Sequence, residues 1–344
     1  MAFLHPGAAT APARLAYLDG WRGVSILMVL VGHFCGYVLI GLFGVYLFFA
    51  LSGRLMAQVL FVERMPLGEF YRRRLSRVYP AMLVFVLITC IAVRDTHMAL
   101  DLRSMAEALT FTLNYEVAFR QVALPVQNLW SLCVEEHSYV LLGLIALACR
   151  VRRANPTVAL ACVGVASLAD GLICLVLLHQ PARNVFWRSD SQLAPIFLSA
   201  ASYLALRGRP SAGWLPLAGL VAALAAIFAP TPVAYLVIPA SLAVAVATLE
   251  NAPDVVRSAL AWPPLTTLGV GSYSIYLWQH PFYRLMIDKA LPWWGALAAT
   301  LVAAGASFYL VERPARRWLN GLGSPKPQRV PYIRSPASPM PGMM

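Results

Sequence analysis

Arg22-Gly23-Val24-Ser25-Ile26-Leu27-Met28-Val29-Leu30-Val31-Gly32-His33 is the stretch on which the reading of this chain turns. Between its polar ends it is almost wholly apolar, which predicts a helix. Eleven helical steps of about 100° make three turns plus roughly 20°. Arg22 and His33 therefore share one face, about 16 Å apart along the axis. A cation facing lipid is costly, so if the run spans a membrane both side chains turn toward protein. A fixed guanidinium and a titratable imidazole on one buried stripe have the makings of a site. Each also has a plainer reading: Arg22 as a residue snorkelling to the interface, His33 as a hydrogen-bonded packing residue.

The composition places that run in a membrane. Of 344 residues, 60% are hydrophobic and only 12% charged, against about 25% charged in soluble domains. At about 20 residues per span, ten spans read out at 22–41, 43–61, 78–94, 129–149, 157–179, 191–206, 213–229, 233–249, 264–283 and 291–311. The first two meet at Leu42 as a tight hairpin, and no internal repeat stands out. The expected fold is an all-α integral membrane bundle of about ten transmembrane helices over residues 15–318. A short cytoplasmic segment, 1–14, precedes it and a Pro-rich disordered tail, 319–344, follows. Residues 1–14 contain Pro6 and Pro12 and do not read as a secretory signal.

The net charge of +12 raises nucleic acid as a partner, but its distribution argues against one. With the N-terminus in the cytoplasm, eighteen of the 27 Lys and Arg fall on the inner side, seven on the outer, and Arg22 and Arg54 within spans. That asymmetry follows the positive-inside rule and puts both termini in the cytoplasm. Cysteines 35, 90, 133, 149, 162 and 174 lie within spans, with no paired or metal-ligand spacing. His5, His97, His137 and His179 form no ligand set either, so no metal is expected.

Other intramembrane polar residues add candidates. Trp130 fits an outer aromatic belt. Ser131 and Glu135, four apart, share a helix face, with Glu135 one to two turns deeper. A carboxylate there is costly unless paired or facing a wet cavity. Acceptor binding, the orientation of His33 and a contact with a helix dipole all remain open for it. Glu136 points about 100° away and reads as one half of a structural pair, as do Glu312 with Arg313. Asp170 stands alone in the sequence of the fifth span, where acids are costly, and pairing with a neighbouring helix is its simplest account. Arg72, Arg73, Arg74 and Arg77 form a cytoplasmic run that suits either topology anchoring or an anionic ligand.

Taken together, these segments resemble the membrane acyltransferase-3 family. Leu18-Asp19-Gly20-Trp21-Arg22-Gly23 with His33-Phe34 is similar to its opening, and 44–53 (GVYLFFALSG) to its second-helix motif. Residues 70–80 (FYRRRLSRVYP) match its arginine-rich segment and 130–136 (WSLCVEE) its Trp-Ser-Leu block. Residues 272–278 (SYSIYLW) and 311–314 (VERP) match its last two helices, so the likeness runs in order over about 15–318. It departs from the family where Tyr46 replaces a frequent acidic residue, at His137-Ser138-Tyr139, and where Gln279 follows Trp278 and His280 comes next. By helix position His280 is expected to face elsewhere.

The resemblance implies a bacterial inner-membrane O-acyltransferase that moves an acyl group, acetyl above all, from cytoplasmic acyl-CoA to a hydroxyl. The acceptor would be a surface polysaccharide or its lipid-linked precursor, with polysaccharide-assembly proteins as possible partners and no permanently bound cofactor. It makes His33 and Arg22 the catalytic pair, to which Glu135 is added as an acid deep in the fourth span. Arg72, Arg73, Arg74 and Arg77 would bind the donor, and Trp130, Ser131 and Gln279 the acceptor. The chemistry agrees, since histidine is the side chain best poised to take a hydroxyl proton. The Arg22–His33 offset is on the scale of a pantetheine arm. Both direct transfer and an acyl-histidine relay fit. A transporter or flippase of polysaccharide precursors, which would also need intramembrane polar groups, is the alternative.

Overall fold

The computed structural model describes residues 15–120 and 123–321, all helical or irregular, with no strand among them. The first six helices are α1 (Ala16–Phe34), α2 (Val38–Ala57), α3 (Leu67–Val93), α4 (Leu102–Leu109), α5 (Leu113–Arg120) and α6 (Leu129–Arg152). They are followed by α7 (Pro156–Leu172), α8 (Ala182–Phe186), α9 (Ser189–Gln192), α10 (Ala194–Leu206), α11 (Leu215–Ala226) and α12 (Thr231–Ala247). The last four are α13 (Asp254–Leu260), α14 (Pro263–Ile287), α15 (Trp293–Ser307) and α16 (Arg313–Gly321). Single π-helical turns prolong α2 and α7 and join α15 to α16.

This is a multi-pass helical membrane protein. Five stretches are long and apolar enough to cross a bilayer unaided: Val38–Val62, Leu67–Val93, Leu129–Arg152, Pro156–Leu177 and Trp293–Gly321. Leu215–Ala226 and Thr231–Ala247 are apolar but shorter. The expected ten full spans are therefore not reached by this measure. α10, with 13 residues, is only about 20 Å long, while α1 and α14 carry polar residues inward. Ile88, Val165 and Val302 are exposed on the outside of α3, α7 and α15, the surface that lipid covers in an apolar-sided bundle.

Two boundaries differ from the expectation. α1 ends at Phe34 and α2 begins at Val38, so the first hairpin turns at residues 35–37, ahead of Leu42. Gly36, at φ +80°, takes the left-handed conformation that glycine adopts without steric cost. Helix α16 runs to Gly321, so 319–321 are helical. The expected segment 1–14 and the rest of the tail, 322–344, lie outside the described residues.

α1 is wedged between α2 and α14. A β-carbon on Gly269 of α14 would lie 1.8 Å from the Asp19 carbonyl oxygen, and one on Gly32 would lie 2.4 Å from the Gly41 α-carbon. Only glycine permits backbones so close. The Trp21 indole donates to the Leu47 carbonyl at 3.0 Å, tying the same helices together. This packing sets the depth and rotation of the face that carries Arg22 and His33.

Short helices fold back against the long ones. Asp101 caps α4 through the Ser104 amide at 2.7 Å, satisfying a free N–H of its first turn. α9 is held by His137 and Asn114, whose side chains reach Ser189 Oγ at 2.6 and 3.0 Å. Asn114 also donates to the Trp187 carbonyl at 3.1 Å. Asp170 is paired, as the cost of a lone acid in a span implies: it accepts from Ser191 at 2.7 Å and pairs with Arg188 at 3.4 Å.

Gly269→Ala is expected to destabilise the protein by at least ~1–3 kcal/mol, the cost of overpacking a tight contact. Gly271→Ala, whose β-carbon would meet nothing within 4 Å, is expected to be neutral or mildly stabilising. Thermal unfolding in detergent compares the two.

A candidate active site in two adjoining compartments

Arg22 sits nearly two turns into α1 and faces a cavity of about 70 Å³ bounded by α2, α3, α6 and α14. Ser52, Arg74, Arg77, Ser131 and Glu135 supply its other polar lining, along with Tyr273 and Tyr276. The centre of this compartment is Arg74. Its Nε donates to Glu136 Oε1 at 2.7 Å and its Nη2 to Glu135 Oε2 at 2.8 Å. Its guanidinium lies 4.1 Å from the Tyr139 ring centroid, a cation–π distance. Glu135 also accepts from Ser52 at 2.8 Å and Tyr139 at 3.2 Å. Three arginines thus gather around these two carboxylates, with Glu312 as a further anionic neighbour of Arg77. Arg77 has Arg22, Arg74 and Arg316 as cationic neighbours. Such a group of guanidiniums suits a phosphate.

The register of α3 divides the arginine run. Arg74 and Arg77, three apart, share a face and reach the cavity. Arg73 points away, pairs with Glu69 and is 56% exposed, while Arg72 does not line the cavity. The block expected to bind donor is thus two inward residues and two others.

His33 lies three turns beyond Arg22 on α1, in a second cavity of about 160 Å³. Its Nδ1 is 3.0 Å from the Val29 carbonyl. A carbonyl can only accept, so Nδ1 carries the proton and Nε2 keeps its lone pair. The ring packs edge-on to Tyr283 at 4.7 Å and to His280 at 5.8 Å between centroids. Trp130, Trp187, Gln127 and Asn128 complete the polar and aromatic lining.

Several expectations need correction here. His280 does not face elsewhere: it shares the His33 cavity. Gln279, assigned to the acceptor, is wholly buried and lines neither compartment. Glu135 does not orient His33, a task that falls to Val29. Trp130 lines the His33 compartment, whereas Ser131 lines the arginine compartment. Glu136, by contrast, makes the structural pair expected of it, with Arg74, which it shares with Glu135. Glu312 accepts from Ser274 at 2.6 Å rather than pairing with Arg313.

Proline explains part of the local geometry. Pro281 has no N–H, so it leaves the Leu277 carbonyl without its usual helical donor. Asn128 fills that gap, its amide 3.2 Å from Leu277 O and 2.6 Å from Tyr276 O. Asn128, Tyr276, Tyr283, Ser52 and Trp187 were not picked out from sequence. Only the 44–53 motif, which contains Ser52, and the tyrosine-rich 272–278 segment carried a signal for any of them.

The chain matches the family described as an acyltransferase domain across residues 15–312. Among curated relatives, peptidoglycan O-acetyltransferase OatA of Listeria monocytogenes is 27% identical, the match covering 87% of this chain and 55% of that protein. The putative peptidoglycan O-acetyltransferase YrhL of Bacillus subtilis is 26% identical over 87% and 54%, respectively. O-acetyltransferase OatA of Staphylococcus aureus is 24% identical over 89% and 58%. The chain spans about half the length of the curated relatives it matches. No solved structure matches it.

Arg74→Ala would leave Glu135 and Glu136 buried without their cation, and is expected to cost about 3–5 kcal/mol. Arg73→Ala removes only an exposed pair and is expected to cost less than about 1 kcal/mol. Unfolding midpoints of the purified variants check the contrast.

Proposed function

Because this chain belongs to that acyltransferase family, we propose that it is a bacterial cytoplasmic-membrane O-acetyltransferase taking its acyl group from acyl-CoA. The acceptor is a hydroxyl of a surface glycan or its lipid-linked precursor. Peptidoglycan, named for two of the relatives, is one such glycan. The observation that carries the reading is the succession of two adjoining compartments along α1, a cluster of guanidiniums in one and an imidazole with a free Nε2 in the other. Family membership leaves the flippase alternative without support of its own.

In this scheme both termini are cytoplasmic and the arginine compartment opens toward the CoA pool. Arg22 and Arg77 hold donor phosphate or other anionic groups, guanidinium being suited to paired phosphate contacts. Arg74 is committed to Glu135 and Glu136, so its first role is to keep that wall in place. The thioester reaches the His33 compartment, where Nε2 accepts the hydroxyl proton as the oxygen attacks the thioester carbonyl. The C–S bond then breaks, and the proton passes from His33 to the leaving thiolate. The Val29 carbonyl stabilises this sequence by holding Nδ1–H, so that Nε2 is always the basic atom. Trp130, Trp187 and Tyr283 supply flat surfaces of the kind on which a sugar ring packs.

His33→Ala is expected to lower acyl transfer by about 10²–10⁴-fold, the usual contribution of a general base, at unchanged protein level. The measurement is the ester-linked acetate of surface glycans in a deletion strain complemented with wild type or variant. Full acetylation by the variant would overturn the role given to His33.

A further inference from the structure

The arginine and histidine compartments have two lining residues in common, Val45 of α2 and Tyr276 of α14. Tyr276 is held at every polar atom it has beyond its own N–H. Its hydroxyl donates to the Asn128 carbonyl at 2.8 Å. A carbonyl can only accept, so Ser131, 2.6 Å away, must be the donor to the phenol oxygen. The Tyr276 carbonyl accepts from the Asn128 amide at 2.6 Å, next to the carbonyl that Pro281 leaves free. The ring stands edge-on to Phe48, 6.4 Å between centroids. One aromatic side chain is thus pinned at tip and base by the first residues of α6, in the wall between the two halves of the site.

We propose that Tyr276 is the gate between the compartments and that, with Val45, it selects the acyl group by cross-section. This rests on the reading above for the identity of what passes, an acyl thioester arriving from the arginine end. A linear acyl group and a pantetheine arm have the same narrow profile. Once the ring swings off Ser131 and Asn128, both thread through. A branched or aromatic acyl group is wider at the carbonyl end and stops at the wall. Closed, the ring separates the His33 base from the arginine end, so an unproductive thioester there stays away from it.

Two measurements test this, one of them independent of any acyl transfer. In a chain with its six native cysteines replaced, His33→Cys is labelled with a charged, membrane-impermeant thiosulfonate applied from the arginine side of sealed vesicles. Adding Tyr276→Ala is expected to speed labelling at least tenfold from that side. It should leave the rate from the opposite side unchanged. Equal rates from the arginine side with and without Tyr276→Ala would overturn the gate. In the otherwise native chain, turnover of isobutyryl-CoA or benzoyl-CoA relative to acetyl-CoA is expected to rise at least tenfold in Tyr276→Ala. It should rise also in Val45→Ala, which widens the wall without touching a hydrogen bond. An unchanged ratio in both folded variants would overturn the selection. Absence of transfer from any acyl-CoA by the wild type would instead overturn the transferase reading, with the labelling result still deciding the gate.

Discussion

Backbone contact around α1 is the constraint on which everything else depends. Arg22 and His33 can exist inside a membrane only if the helix that carries them is enclosed, and enclosure requires neighbours on both flanks. Glycines provide it. Gly269 brings α14 against the Asp19 carbonyl, and Gly32 meets Gly41 across the first hairpin. With those contacts set, the polar stripe of α1 faces α2, α3, α6 and α14 at once. A side chain larger than hydrogen at either place would push a wall of the site outward.

Within that enclosure the charges are arranged by necessity as much as by function. Glu135 and Glu136 are consecutive, so a helix points them about 100° apart, yet both end on Arg74. A guanidinium can do this because its donors fan out in one plane. Two carboxylates buried without a cation would be unstable. One arginine used in this way leaves the guanidiniums of Arg22 and Arg77 to line the cavity. The electrostatic character of the compartment therefore follows from how many carboxylates the wall holds, not from how many arginines the segment contains.

Periodicity within one helix was legible in advance, and relations between helices were not. The shared face of Arg22 and His33, and of Ser131 and Glu135, follows from 3.6 residues per turn. Arg72, Arg73, Arg74 and Arg77 could not be sorted, because a run of like residues does not announce which face is inside. His280 and Gln279 exchanged their expected places for a related reason. Adjacent positions differ by about 100°, and only the rotation of α14 against α1 says which one meets His33. Asn128 had no signal at all, since its partners are 148 and 149 residues away.

By itself the sequence determined a helical membrane protein, its membership of an acyltransferase family, and the placing of a cation and an imidazole on one buried stripe. These are properties of composition, ordered motifs and helix pitch, each of which is local. The tertiary structure alone decided that the stripe crosses two compartments rather than one, that His280 and Tyr283 surround His33, and that Tyr276 stands between the halves. Those depend on how far each helix is turned about its own axis. That rotation is fixed by glycine contacts and hydrogen bonds between residues distant in the chain.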